Sequence, residues 1–228
     1  MEITCFLPCR KGSERVLNKN IKPFAGFQHG LIEIKLQQLR NCSAIDEIIL
    51  STNDDEIIEF AESVGISNLV IHRRDDELCS STTSTDQLIP LASELANSKH
   101  ILWTHVTSPF FSSENYEEFI DSYFASLERG FDSIVSVNLL QTFIWTGDGP
   151  VNYDREIEKW PRTQTLNPMY EINSCAFMNS KENYLKGQDR IGDKPFLHIS
   201  QKYSGFDIDW PEDFVLGEKI LESGVAEI

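Results

Sequence analysis

Two short stretches carry residues whose types and spacing could do chemistry. The first is Leu7-Pro8-Cys9-Arg10-Lys11-Gly12-Ser13-Glu14-Arg15-Val16-Leu17-Asn18-Lys19-Asn20. Arg10, Lys11, Arg15, Lys19 and Lys22 lie close together there, with only Glu14 opposing them. The whole chain has 36 acidic and 20 basic residues and a formal charge of −16, so a local positive cluster points to a small anionic ligand held in one cleft. A loop with Gly12 and Ser13 between cations can wrap a polyphosphate: glycine allows close backbone approach, backbone N–H groups turn inward and the cations neutralise charge. Neither GxxxxGK[ST] nor GxGxxG occurs, so the chain is not read as a P-loop ATPase or a Rossmann dehydrogenase. On spacing alone, a solvated basic loop is the competing reading.

The second stretch is Ser204-Gly205-Phe206-Asp207-Ile208-Asp209-Trp210-Pro211-Glu212-Asp213. Read as a strand, it turns Asp207 and Asp209 to one side and Ile208 to the other. A converging acidic pair is costly unless it is solvated or holds a cation, and oxygen ligands of this kind suit Mg²⁺. A solvated strand end competes with that reading, and the phosphate loop tips the balance towards metal. Glu212 and Asp213 are assigned to the start of a final helix, where negative charge is favourable.

The elements that must position these residues follow a rhythm. Strands are expected at ITCFLPC, DEIILST, NLVIH, HILWTHVT and FDSIVSVN, and helices at Leu31–Cys42, after a cap at Asn53 or Asp54, at Asp86–Ala96, and after Ser112 or Ser113. Such alternation implies a mostly parallel sheet covered by helices, with ligands at the carboxyl ends of the strands. The loop Arg10–Asn20 and the segment His105–Pro109 both fall there. Residues 139–170 break the rhythm and read as an inserted arm; strands then resume at YEINSCAFM, FLHIS and SGFDIDW, and a helix runs from about Pro211 to Ser223.

At 228 residues, with 40% hydrophobic and 25% charged residues, the chain is read as a single globular domain. The acidic balance argues against nucleic acid and anionic membranes as partners. No apolar run is long enough to span a bilayer, and the start lacks a secretory leader pattern, so a cytoplasmic location is expected. Cys5, Cys9, Cys42, Cys79 and Cys175 are scattered, with no CxxC, and are read as free buried thiols.

Arg10-x-Gly12-Ser13-x-Arg15-x3-Lys19-Asn20 resembles the nucleotide-binding signature of the acylneuraminate cytidylyltransferases, the CMP-sialate synthetases. Arg74-x-x-Glu77-Leu78 resembles their RPxEL segment, Thr107-Ser108-Pro109 their QPTSP segment, and Asp207-x-Asp209 with Pro211-Glu212-Asp213 their metal-binding DIDTPED. The matches keep the family's order and span nearly the whole chain. CMP-Kdo synthetases are more distant; Val16-Leu17-Asn18-Lys19-Asn20 is closer to the sialate branch.

The resemblance implies a three-layer α/β/α nucleotidyltransferase fold with a Rossmann-like, mostly parallel sheet. It implies transfer of CMP from CTP to an acidic nonulosonic sugar with release of pyrophosphate, in service of surface polysaccharide synthesis. Nucleotide binding would fall to Leu7, Arg10, Gly12, Ser13, Arg15, Lys19, Asn20, Arg74 and Ser80. Catalysis would fall to Arg10, Lys19 and Asp209, Mg²⁺ binding to Asp207 and Asp209, and the sugar to His105, Thr107, Arg162 and Asn173. Arg162 suits a sugar carboxylate, and Lys159 or Arg155 could serve instead. Family members form homodimers in which an arm like residues 139–170 reaches the partner's site.

Three departures stand out: His105 replaces a usual Gln, Ser81 an Asp, and Asn173-Ser174-Cys175 an Asn-Gly-Ala. They leave nucleotide chemistry intact and the sugar open. By itself His105 also reads as a hydrogen-bonded histidine at a strand end. The rival readings are the same fold acting on Kdo or another sugar, and a catalytically silent binding module. Intact Arg10, Lys19, Asp207 and Asp209 oppose the latter.

Overall fold

The computed structural model describes residues 2–228. The buried strand β1 (Ile3–Pro8) is followed by the helix α1 (Gly30–Asn41), β2 (Glu47–Thr52) and α2 (Asp55–Ser63). Asp54 is the cap of α2, accepting from the Glu56 N–H at 3.2 Å. Next come β3 (Leu69–Arg73), α3 (Thr85–Leu95), β4 (His100–Thr104), α4 (Ser113–Glu128) and β5 (Ser133–Leu140). Ser84 with Gln87, and Ser112 with Asn115, close reciprocal caps at the starts of α3 and α4. A small hairpin, β6 (Trp145–Thr146) and β7 (Gly149–Pro150), precedes β8 (Met169–Ser180), α5 (Lys181–Gly187), β9 (Pro195–Ile199) and α6 (Pro211–Glu222).

Among the described residues the main sheet has seven strands in the order β3-β2-β1-β4-β8-β5-β9. Every neighbouring pair is parallel except those made by β8, which runs antiparallel to both β4 and β5. Two-residue periodicity sends Cys5 and Leu7 of β1 to one face and Phe6 to the other. On the first face Leu31, Ile34, Ile57 and Phe119 of α1, α2 and α4 cover the strands; on the second, Ile89, Ala92 and Tyr184 of α3 and α5 do so. This is the expected α/β architecture, with apolar runs in strands buried on both sides.

Three sequence expectations need correction. The fourth strand stops at Thr104 rather than continuing through Thr107; beyond it the chain leaves the sheet, Thr107 O accepts from the Ile208 N–H at 2.9 Å, and side chains of α1 hold the carbonyls that follow, Lys35 Nζ donating to Ser108 O at 2.9 Å and Gln38 Nε2 to Pro109 O at 2.6 Å. The segment containing Asp207 and Asp209 is a loop, not a strand. It crosses that same non-strand stretch and makes one backbone bond to it, Ile208 N to Thr107 O at 2.9 Å. Finally, the ends of the 139–170 insertion belong to the sheet, since β5 runs to Leu140 and β8 begins at Met169. Between them Asn152 is buried and acts as a hub, donating to Thr142 O and Asn167 O and accepting from the Ile144 N–H.

Gly30, the first residue of α1, has φ +59, and a Cβ there would overlap the Lys22 carbonyl oxygen. Gly30→Ala should therefore lower stability by about 3 kcal/mol in urea denaturation, since the obstacle is backbone and cannot rotate aside. A loss below about 1 kcal/mol would show that the loop entering α1 relaxes freely.

Candidate active site

Strands β1 and β4 are parallel neighbours, so the loops leaving their carboxyl ends meet. The first loop is held by its own polar atoms and by Asn53 from the turn after β2. Gly12 has φ +79, where a side chain would be strained. Asn20 Nδ2 donates to Arg10 O at 3.1 Å, Lys11 N to Asn53 Oδ1 at 2.9 Å, and Arg10 Nη1 to Gly12 O at 2.8 Å. The loop's exit is tied to α1 by the Ile32 N–H, 2.9 Å from Asn20 O.

The loop is tied to the Asp207–Asp209 segment across most of the chain. Lys19 is 9% exposed, and its ammonium donates to Ile208 O at 2.6 Å and lies 3.6 Å from Asp209 Oδ1. Arg15 pairs with Asp209 Oδ2 at 3.1 Å and lies over the Trp210 ring at 4.7 Å. Asp213 accepts from the Asp209 and Trp210 N–H groups at 3.0 and 2.7 Å, which fixes the turn into α6. Ile208 is fully buried and belongs to the core on the α1 side of the sheet.

These residues surround adjoining cavities. One of about 220 Å³ is lined by Arg10, Ser13, Lys19, Asn20, His105 and Thr107, among others. A second of about 190 Å³ is lined by Arg10, Arg74, Leu78, Thr83, Trp103 and His105, so Arg10 and His105 stand in the wall common to both. A larger one of about 480 Å³ is lined by Asn138, Asn173, Asp207 and Asp209 with surrounding residues.

Not every residue singled out in the sequence reaches these spaces. Leu7 is fully buried in the core and offers no side-chain surface; Pro8 and Cys9 line the cavity instead. Ser80 is exposed and bonded to Thr82 and Thr83, and it is Thr83 that lines the Arg74 cavity. Arg162 is exposed at the 3-10 turn Thr163–Thr165 of the arm, away from the cavities named above. Asn173 lines the large cavity, yet its amide is spent within the protein on Asn138, Ser200, Ser136 and the Cys175 N–H. Arg74 is 3% exposed and steadied by a 3.1 Å contact from Nε to Cys79 Sγ.

Burial shapes the electrostatics. It pushes the Asp207 carboxyl up to about 6; the negative Asp209 adds to this, while the Thr107 hydroxyl and the Lys19 ammonium pull back. Burial lowers Lys19, against the opposing pull of Asp209 and Asp207. Burial, then the positive Arg190, brings His105 down to about 3, so its ring is neutral. Among the described residues the buried Asp207 Oδ1 has no hydrogen-bond partner. An orphaned carboxylate oxygen beside a second carboxylate fits a hard cation that also takes oxygens from a bound phosphate. Among the described residues no three Asp, Glu, His or Cys side chains form a metal cage, so such an ion would rest on two carboxylates and its other ligands.

Sequence reasoning missed three residues. Lys35 and Gln38 hold the Ser108 and Pro109 carbonyls from the buried face of α1. Their signal was present: Leu31, Lys35 and Gln38 share one helical face, so two polar residues interrupt an apolar stripe. Arg190 donates to His105 Nε2 at 3.1 Å from a loop with no local pattern to mark it.

A family model described as Cytidylyltransferase matches residues 4–178. The chain belongs to the cytidylyltransferase family. Among curated cytidylyltransferases and their relatives, the N-acylneuraminate cytidylyltransferase of Streptococcus agalactiae serotype III is 25% identical over 234 residues, covering 100% of this chain and 55% of that protein. The chain thus spans about half the length of the first of its curated relatives. The CMP-N,N'-diacetyllegionaminic acid synthase of Legionella pneumophila is 25% identical over 235 residues, covering 97% of both chains. Among solved structures, a 4-diphosphocytidyl-2C-methyl-D-erythritol synthase from Anaerococcus prevotii superposes with a TM-score of 0.68 at 17% identity, covering 97% of this chain and 96% of that one. That likeness establishes the cytidylyltransferase fold. No helix among the described residues is long and apolar enough to cross a membrane.

Proposed function

We propose that this chain transfers CMP from CTP to an acidic nonulosonic sugar and releases pyrophosphate. The observation that carries the reading is the meeting of Arg15 and Lys19, from the loop after β1, with Asp209 at distances of 3.1 and 3.6 Å beside cavities lined by Arg10, Ser13 and Asn20. Cations and carboxylates from opposite ends of the sequence suit a site that must hold a polyphosphate and its counter-ion together. The whole-length similarity to N-acylneuraminate and legionaminic acid enzymes supports a sugar acid as acceptor.

In this mechanism a sugar hydroxyl attacks the α-phosphorus, and the protein contributes placement and charge. Arg10, Ser13 and the Gly12 turn hold the triphosphate, with Asn20 bracing the loop through its bond to Arg10 O. Lys19 and Arg10 stabilise the negative charge that grows on the transferring and departing phosphates. Arg74 with Leu78 and Thr83 lines a cavity of about 190 Å³ that would take the cytosine ring. Asp207 and Asp209 would hold Mg²⁺, which when bound neutralises phosphate charge and makes a nearby hydroxyl more acidic. His105 and Thr107 face the acceptor sugar.

A homodimer completes the reading. The arm exposes Trp145, Val151, Ile157 and Trp160, apolar surface that a second copy would cover, and it carries Arg155, Lys159 and Arg162 towards a partner's sugar carboxylate. The buried free thiols of all five cysteines suit the reducing cytoplasm.

Pyrophosphate release from CTP and Mg²⁺ across N-acetylneuraminate, legionaminate, pseudaminate, Kdn and Kdo tests the reading. Release with one nonulosonate and CTP alone is expected. Release with Kdo only would move the chain to the Kdo branch. CTP binding without release for any sugar would favour a silent module.

A further inference from the structure

We propose that Arg190 is a positioning residue of this site: with Trp103 it saturates Nε2 of His105, which fixes the ring as the Nδ1–H tautomer and makes that N–H a permanent donor to an acceptor oxygen of the sugar acid. The sugar assignment rests on the function proposed above; the tautomer does not.

Two N–H groups converge on one ring nitrogen. Trp103 Nε1 and an Arg190 guanidinium N–H each lie 3.1 Å from His105 Nε2. Indole and guanidinium nitrogens only donate, so Nε2 must accept from both and cannot carry a proton. A neutral imidazole then bears its proton on Nδ1. The ring lines both the cavity of Arg10, Ser13 and Lys19 and the cavity of Arg74, so its free N–H serves ligands at their junction.

Arg190 is built to stay in place. Its guanidinium packs over the Phe177 ring at 3.7 Å and lies 5.3 Å from the Trp103 ring. Both rings sit on the sheet, Trp103 on β4 and Phe177 opposite it on β8, so the arginine spans a rigid platform. The charges that act most strongly on His105 are positive: Arg190 from the α5–β9 loop, Lys35 from α1 and Lys19 from the phosphate loop, with Arg10 and Arg74 in the same cavity walls; Asp209 and Asp207 lie beyond Lys19 and Lys35 and act on those ammonium groups. Asp189 and Asp86 act on Arg190 rather than on the imidazole. Removing Arg190 takes away one of the two donors and the largest of the charges that oppose imidazolium formation.

The experiment is ¹⁵N NMR of the His105 ring between pH 5 and 8, in wild type, Arg190→Met and Arg190→Lys, alongside KM for N-acetylneuraminate and for CTP. Wild type should show a protonated Nδ1, a bare Nε2 and no titration over that range. Arg190→Met should let the ring titrate and, when neutral, take up the Nε2–H tautomer, so its sugar KM should lie about tenfold above wild type at pH 8 and fall towards wild type at pH 6, where imidazolium again carries Nδ1–H, while its CTP KM stays within about twofold. Arg190→Lys, which keeps a cation and a donor, should restore the flat profile. An Nε2–H tautomer in wild type, or an Arg190→Met ring that behaves like wild type, overturns the proposal. If no sugar is turned over, the function proposed above fails, and the ring spectra alone still decide the tautomer.

Discussion

Asp209→Asn should cut CMP transfer roughly a thousandfold while leaving CTP affinity within a few-fold of wild type. Asparagine keeps the shape of the side chain and the backbone bond to Asp213, but removes the charge that faces Arg15 at 3.1 Å and Lys19 at 3.6 Å. Folding should barely notice. The Asp209 side chain is 51% exposed, and exposed ion pairs contribute about 1 kcal/mol at most. Phosphate cations and the base cavity remain, so nucleotide should still bind. Asp207→Asn should behave alike, since its buried Oδ1 has no partner among the described residues. The measurements are single-turnover transfer and calorimetric CTP titration, each with Mg²⁺ and with a chelator. Wild-type transfer by Asp209→Asn, or transfer unaffected by chelation, would remove the metal from the mechanism.

Lys35→Met should stabilise the protein relative to wild type as pH falls from 9 to 6. Lys35 is fully buried, bonded to Ser108 O at 2.9 Å and to the Tyr116 hydroxyl at 2.8 Å, and burial lowers its ammonium to about 7. Its folded value thus lies below the unfolded value of about 10.4. Between those limits the unfolded chain binds the extra proton, so wild-type stability rises with pH there, and the penalty is fully present below pH 7. The slope is about 1.4 kcal/mol per pH unit from this one group. Buried cysteines work the other way. Burial keeps Cys9 and Cys175 protonated to about 12, whereas unfolded thiols ionise above about 8.5, so they favour unfolding at alkaline pH. That contribution is common to both proteins and cancels in the difference. Methionine keeps the stem's packing but leaves Ser108 O without its donor, costing about 1–3 kcal/mol at every pH. Urea melts of both proteins at pH 6, 7, 8 and 9 test this; a pH-independent difference would mean that Lys35 is not the titrating group.

The fold was largely legible because periodicity reports burial. ITCFLP reads as a strand buried on both sides, and Asp54 and Ser112 stand where helices need caps. The Asp207–Asp209 segment was misread because Phe206, Ile208 and Trp210 alternate with acids as a strand would; nothing local shows that its backbone neighbour, Thr107, has itself left the sheet. At the site, loop cations and the acidic pair were visible as clusters of like residues. Leu7 was carried over with its motif, though two-residue alternation puts it with Cys5 in the core. Lys35 and Gln38 were hidden by the habit of placing lysine and glutamine at the surface. Arg190 was hidden for a different reason: it acts through a residue 85 positions away.

The bond from Lys19 to Ile208 O joins residues 189 apart in sequence. On a ribosome adding about 5–20 residues per second, the basic loop emerges roughly 10–40 s before its acidic counterpart is made. Throughout that interval Lys19 has no Ile208 or Asp209 to meet, and any nucleotide it attracts finds half a site. On the proposed function, a chain stalled before Ile208 would bind CTP at most, without turning it over.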